Sequence, residues 1–145
     1  NKAKESKISD DLFIVARIES FILGKSLKDA IRRAKAYSRA GADAILIHSK
    51  EKNANQIFSF SRNFLKSKFA KPLIAIPSTY SKIYERELID NGFKIVIYAN
   101  HFLRAIHPAM MDIATIILKN ERSFEAEKKM SSINKVLNII KHDFS

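Results

Sequence analysis

The side chains best equipped for chemistry in this sequence stand where short apolar runs stop. Leu12 to Ala16 gives way to Arg17 and Glu19, and Ala44 to Ile47 to His48-Ser49-Lys50. Leu73 to Ile76 gives way to Pro77-Ser78-Thr79-Tyr80, and Phe93 to Tyr98 to Ala99-Asn100-His101. A guanidinium presents a planar fork that grips a carboxylate or phosphate through two parallel hydrogen bonds. A carboxylate two residues on can hold that fork in place, and an imidazole can donate to a phosphoryl oxygen. Arg17, Glu19 and His48, with Ser78 and Asn100 as neutral hydrogen-bonding groups, therefore make a set able to hold an anion. Each also has a plainer role. Arg17 and Glu19 can be a salt bridge closing a strand end, and His48 a satisfied structural histidine. Ser78-Thr79 after proline can be turn chemistry, and Asn100 can tolerate an unusual turn or cap the following helix.

These residues need a scaffold that brings the run ends together. Leu12 to Ile18 reads as a strand, and alternation along it puts Arg17 and Glu19 on one face. Ser26 reads as the N-cap of a helix over Leu27 to Ala40, with Asp29 in its first turn and Gly41 past its end. Leu27, Ala30, Ile31, Ala34 and Tyr37 form its apolar stripe. Strands follow at Ala44 to Ile47, Leu73 to Ile76 and Phe93 to Tyr98. Between them fall a helix over Asn53 to Lys68, with Ile57, Phe58, Phe60, Phe64 and Leu65 inward, and a short one over residues 81–91, with Ile83, Leu88 and Ile89 inward. An apolar helix runs from Phe102 to Asn120. After a charged break, Glu121 to Lys129, comes a last amphipathic helix carrying Ile133, Val136, Leu137, Ile139 and Ile140. Residues 1–9 read as a helix end or linker, 10–101 as four strands with their helices, and 102–145 as C-terminal helices.

The order is β-α-β-α-β-α-β-α-α. Short, Ile/Val-rich, non-alternating strands about thirty residues apart indicate a parallel sheet buried on both faces. All its polar strand ends lie on one side, where α/β folds place their sites. Four such units make either a small doubly wound domain or half of a (β/α)8 barrel.

Composition narrows the function classes. The chain has 145 residues, 46% hydrophobic, with a mean hydropathy of −0.16, so it is long enough for a core and is not disordered. No apolar run approaches the ~20 residues of a membrane span, and the polar start NKAKESKISD is no signal peptide. The absence of cysteine excludes disulfides and thiolate metal sites, and a cytosolic setting is expected. The net charge of +11 favours an anionic partner. The basic residues are scattered, however, with no run longer than the pairs Arg32-Arg33 and Lys128-Lys129, and no nucleic-acid-binding motif accompanies them. Nucleic acid and membrane are therefore not expected partners. Without an initiator methionine, the sequence reads as a processed product or a piece of something longer.

The segments IVARIESFILG, RAKAYSRAGADAILIHSK, IPSTY and VIYANHFLRA, in this order and spacing, resemble the C-terminal half of phosphoenolpyruvate mutases, in the isocitrate lyase/phosphoenolpyruvate mutase superfamily. The likeness runs from about Asp10 to Ile140. It implies units five to eight of a (β/α)8 barrel with extra C-terminal helices, and isomerase chemistry interconverting phosphoenolpyruvate and phosphonopyruvate with Mg²⁺. Relatives hydrolyse phosphonopyruvate or cleave C–C bonds. By resemblance, Arg17 and His48 are the active-site arginine and histidine. Glu19 orients the site, Ser78 lies near a polar position at the seventh strand's end, and Asn100 and His101 match the ANH of the eighth. The family's Mg²⁺ ligands and covering loop lie in its first four units, which this chain lacks. A missing N-terminal half-barrel and a homo-oligomer exchanging its C-terminal helices are thus the expected partners. A non-catalytic half-barrel that binds another chain through its open strand edges is the remaining reading.

Overall fold

The structure is a computed structural model that describes residues 2–9 and 11–139. Its elements run α1 (Lys2–Glu5), β1 (Val15–Ile18), α2 (Leu27–Arg39), β2 (Ala44–Ile47), α3 (Asn55–Phe64), β3 (Leu73–Ala75), α4 (Glu85–Asp90), β4 (Phe93–Val96), α5 (His101–Asn120), a 3₁₀ helix over Phe124–Lys129, and α6 (Ile133–Ile139). They form two units, one ending at Ala99 and the other beginning at Asn100.

In the first unit the four strands make one sheet in the order β1-β2-β3-β4, with every neighbouring pair parallel. Parallel neighbours need a crossover between them, and α2, α3 and α4 supply it. The pleat sorts the side chains. Ile18, Ile45, Ile47, Leu73, Ala75 and Phe93 share the principal core with Ala30 and Ala34 of α2, Ile57, Phe60 and Phe64 of α3, and Leu88 of α4. Phe60 and Phe64 stack with ring centroids 5.5 Å apart. The opposite face carries a smaller cluster of Ala44, Leu46, Ile74 and Ile76. The register skips a residue between β3 and β4: Leu73 pairs with Phe93, but Ile74 pairs with Ile95. Lys94 is the extra residue of this bulge. It lets Phe93 face the helices while Ile95, two positions on, joins the other face.

Several boundaries differ from the sequence reading. β1 starts at Val15, not Leu12, because its ladder with β2 begins at Val15 opposite Ala44; Leu12 and Phe13 are more than half exposed. α3 covers Asn55–Phe64 rather than Asn53 to Lys68, β3 stops at Ala75 and β4 at Val96. α4 is only Glu85–Asp90, so a single face position, Leu88, reaches the core while Ile89 is 58% exposed. The sheet is buried on both faces only at β2 and β3; β1 and β4 keep exposed positions. Ser26 caps α2, its side chain accepting from the Asp29 N–H, and Gly41 follows with φ +99°. Asp10 and Ile140, named in the sequence reading, lie outside the described residues.

In the second unit α5 contains Pro108 and has no buried residue. Glu121 ends it in the left-handed conformation, φ 55°, and the 3₁₀ helix folds back with Ala126 buried. A Lys129–Asp112 ion pair joins the two helices. Phe102, Leu103, Ile106, Met110 and Leu118 of α5 are exposed, as are Ile133, Leu137 and Ile139 of α6.

Candidate active site

Two carboxylates set the frame of the site. Asp43 accepts from the Ile14 N–H at 2.8 Å while its own N–H donates to the Ile14 carbonyl at 2.8 Å, which fixes the approach to β1 against the start of β2. The Ile14 bond, with Lys7 3.6 Å away, holds the Asp43 carboxyl below its usual range. After β1, Asp29 accepts from the Ser20 hydroxyl at 2.8 Å, from Arg33 Nε at 2.8 Å and from Arg32 Nη2 at 2.6 Å. Arg33 first, then Arg32 and Ser20, hold the Asp29 carboxyl well below the carboxylate range. The segment just past Glu19 is thereby tied to the first turns of α2. The sequence reading saw Asp29 only as a favourable helix-end charge; its bond to Ser20, buried nine residues ahead, is marked by no pattern in the sequence.

Between these braces β1 and β2 lie in register, Arg17 opposite Leu46 and Ile18 opposite Ile47. Arg17 belongs to the open face of the sheet, and Glu19 and His48 follow one step past the strand ends. Arg17 Nε donates to Glu19 Oε1. Arg17 Nη2 lies 3.0 Å from His48 Nδ1, and Glu19 Oε2 lies 3.7 Å from the same nitrogen. A guanidinium has only donors, so this contact is a hydrogen bond in the tautomer whose Nδ1 accepts and whose Nε2 carries the proton. The side chains are 49% (Arg17), 38% (Glu19) and 19% (His48) exposed. The pair is therefore not a dry structural bridge. The guanidinium is held through Nε by Glu19 and through Nη2 against His48, and its remaining N–H groups are open to solvent.

Ser78, at the end of β3, turns tightly, its N–H donating to the Ile76 carbonyl at 2.9 Å. Its hydroxyl is buried without a hydrogen-bond partner among the described residues. It stands a strand beyond His48, at roughly 5 Å per strand, and joins none of the Arg17–Glu19–His48 contacts. Next to it, Thr79 Oγ1 donates to the Ser49 carbonyl at 2.8 Å, a link that sequence reasoning missed. Asn100 belongs to the second unit. It occupies the cap position of α5, but its side chain makes no capping bond; its carbonyl accepts from the Arg104 N–H at 3.0 Å. His101 opens α5.

Among the described residues no group of three His, Asp or Glu side chains is arranged to hold a metal ion. Magnesium takes a near-octahedral shell of oxygens. Glu19 is the one carboxylate in the cluster, and Arg17 already engages it. These residues do not fit a magnesium ion.

The family model described as phosphoenolpyruvate phosphomutase matches residues 1–118. The chain belongs to this family. Phosphoenolpyruvate phosphomutase of Tetrahymena pyriformis is 35% identical over 136 residues, 94% of this chain but 44% of the relative. The crystal structure of phosphoenolpyruvate phosphomutase from Streptomyces platensis subsp. rosaceus superposes with a TM-score of 0.85 at 36% identity, covering 94% of this chain and 47% of that one. Phosphonopyruvate hydrolase, in a crystal structure complexed with oxalate and Mg²⁺, superposes with a TM-score of 0.83 at 31% identity, covering 94% and 48%. The chain thus spans about half the length of the phosphomutase-family relatives it matches and corresponds to the C-terminal half of the family fold. No helix of the described residues is long and apolar enough to cross a membrane.

Proposed function

We propose that this chain supplies the anion-gripping half of a phosphoenolpyruvate mutase-type isomerase that interconverts phosphoenolpyruvate and phosphonopyruvate. In this reading β1 to β4 are units five to eight of a (β/α)8 barrel, and the remaining units come from sequence outside this chain. The observation that carries it is the convergence of Arg17 and His48, 3.0 Å apart, on the carboxyl ends of adjacent parallel strands in a member of this family.

The roles follow from donor geometry. Arg17, braced through Nε by Glu19, turns its outer N–H groups to a carboxylate or phosphoryl oxygen. His48 offers Nε2–H to a second oxygen of the same group, so charge on the migrating phosphoryl meets fixed donors. Ser78 is a supporting position. Magnesium, named with the hydrolase relative, would require ligands from outside this chain. The apolar faces of α5 and α6 suit the helix exchange of a homo-oligomer, and a cytosolic site of action belongs to the same proposal.

Phosphonopyruvate hydrolase is the second reading, favoured by a fold likeness nearly equal to that of the mutase, TM-score 0.83 against 0.85. One assay separates them. The chain is mixed with a family N-terminal half and given phosphonopyruvate with Mg²⁺. Phosphoenolpyruvate as product is the expected outcome; pyruvate and free phosphate instead indicate the hydrolase. Failure of the mixture to turn over, with both halves folded and associated, leaves the non-catalytic half-barrel.

A further inference from the structure

His48 stands where the chain leaves the sheet, and residues 48–54 carry no regular structure before α3 begins. A side chain on such a segment is only as well placed as the backbone beneath it. The next residue, Ser49, is fully buried (0% exposed), and its polar atoms are used from three directions. Its hydroxyl donates to Gln56 Oε1 at 2.7 Å, in the first turn of α3. The same oxygen accepts from the Glu51 N–H at 3.1 Å, which closes a tight turn. Its carbonyl accepts from Thr79 Oγ1 at 2.8 Å, past the end of β3. On the other side of His48, its own N–H donates to the Ile18 carbonyl at 3.3 Å, prolonging the ladder with β1.

We propose that Ser49, Gln56 and Thr79 are positioning residues that hold the His48 imidazole against Arg17; this rests on the reading of Arg17 and His48 as the anion-binding pair. With the peptide on either side of His48 fixed, the ring has only its two side-chain torsions left, and the 3.0 Å approach of Nδ1 to Arg17 selects among them. The network also explains a hydroxyl, Ser49, in a place otherwise suited to an apolar residue: a buried polar group persists where its partners are supplied. Thr79 is itself exposed, so losing its hydroxyl slackens the network from the solvent side without opening the core.

The test reads the imidazole directly and needs no substrate, so loss or absence of mutase activity does not bear on it. The full chain is labelled with nitrogen-15, and the ring nitrogens of His48 are identified by their loss in His48→Asn. The unmodified chain should show two well-separated ring resonances, Nδ1 as acceptor and Nε2 protonated. Thr79→Val should draw the two together as the tautomers mix, and Thr79→Ser, which keeps the donor, should restore the separation. An unchanged ring pattern in Thr79→Val, with an unchanged backbone amide spectrum, overturns the proposal. If Thr79→Val disturbs the amide spectrum throughout, Gln56→Leu is judged by the same criterion: mixing of the tautomers supports the positioning role and an unchanged pattern overturns it.

Discussion

The two faces of the sheet are built differently. On the helix side, Phe60, Phe64, Phe93, Ile18 and Ile47 are almost wholly buried around a single core. On the other side, the buried cluster among the described residues is Ala44, Leu46, Ile74 and Ile76, and the outer strands show Val15 at 39% and Ile95 at 40% exposure. The helix side is a finished interior, whereas the open side is closed only along its middle. Arg17, Glu19 and His48 all belong to the open side. If the proposed function holds, stability and chemistry are separable: substitutions behind the sheet should unfold the chain, and substitutions in front should disable it.

The largest effect should come from the finished side. Phe60→Ala removes a fully buried ring stacked on Phe64 and should cost about 3–5 kcal/mol in urea unfolding. Val15→Ala, at the open edge, should cost about 1 kcal/mol or less. Equal losses would show that the open face is as well packed as the other. Next comes Arg17→Ala in the reconstituted enzyme. Turnover should fall about 10²–10³-fold, while unfolding of the chain shifts by no more than about 1 kcal/mol, since the Arg17–Glu19 pair is half exposed. If the substitution unfolds the chain and the folded remainder stays active, the pair is structural. The smallest effect sharpens the contrast through pH. Tyr80, 0% exposed, has its hydroxyl pushed up to about 12 by burial, against about 10 in the unfolded chain. The folded state binds the phenolic proton more tightly, so this contribution is complete below about pH 10 and is lost as pH rises toward 12. Urea midpoints measured across that range should fall, and Tyr80→Phe should fall less steeply.

The legibility of the sequence follows the same division. β2 is read to the residue, because Ala44–Ile47 is apolar on both faces and ends at His48. β1 is misread at its start: Leu12 and Phe13 continue the apolar run, but an edge strand is defined by its one neighbour, and β2 offers no partner before Ala44. Ile89 looks inward by spacing, yet it lies about 100° around the helix from Leu88, and only the Leu88 side of Glu85–Asp90 is buried. At the site, Arg17, Glu19 and His48 are legible because each follows an apolar run. The Ser49–Thr79 bond is not, since it joins residues thirty apart through a backbone carbonyl that no pattern of side chains reveals.

The bulge at Lys94 gives the sheet two unlike borders. β1 runs true from Val15 to Ile18, while β4 carries one residue more than β3 can match. A foreign strand that slides along a regular edge can settle in many frames, and each one-residue slip turns its apolar side outward. Along β4 the kink and the added twist of the bulge mark one frame, and the lysine there places a charge where an indiscriminate neighbour would lie. The two borders of the sheet therefore offer unlike pairing geometry, regular along β1 and kinked at Lys94 along β4.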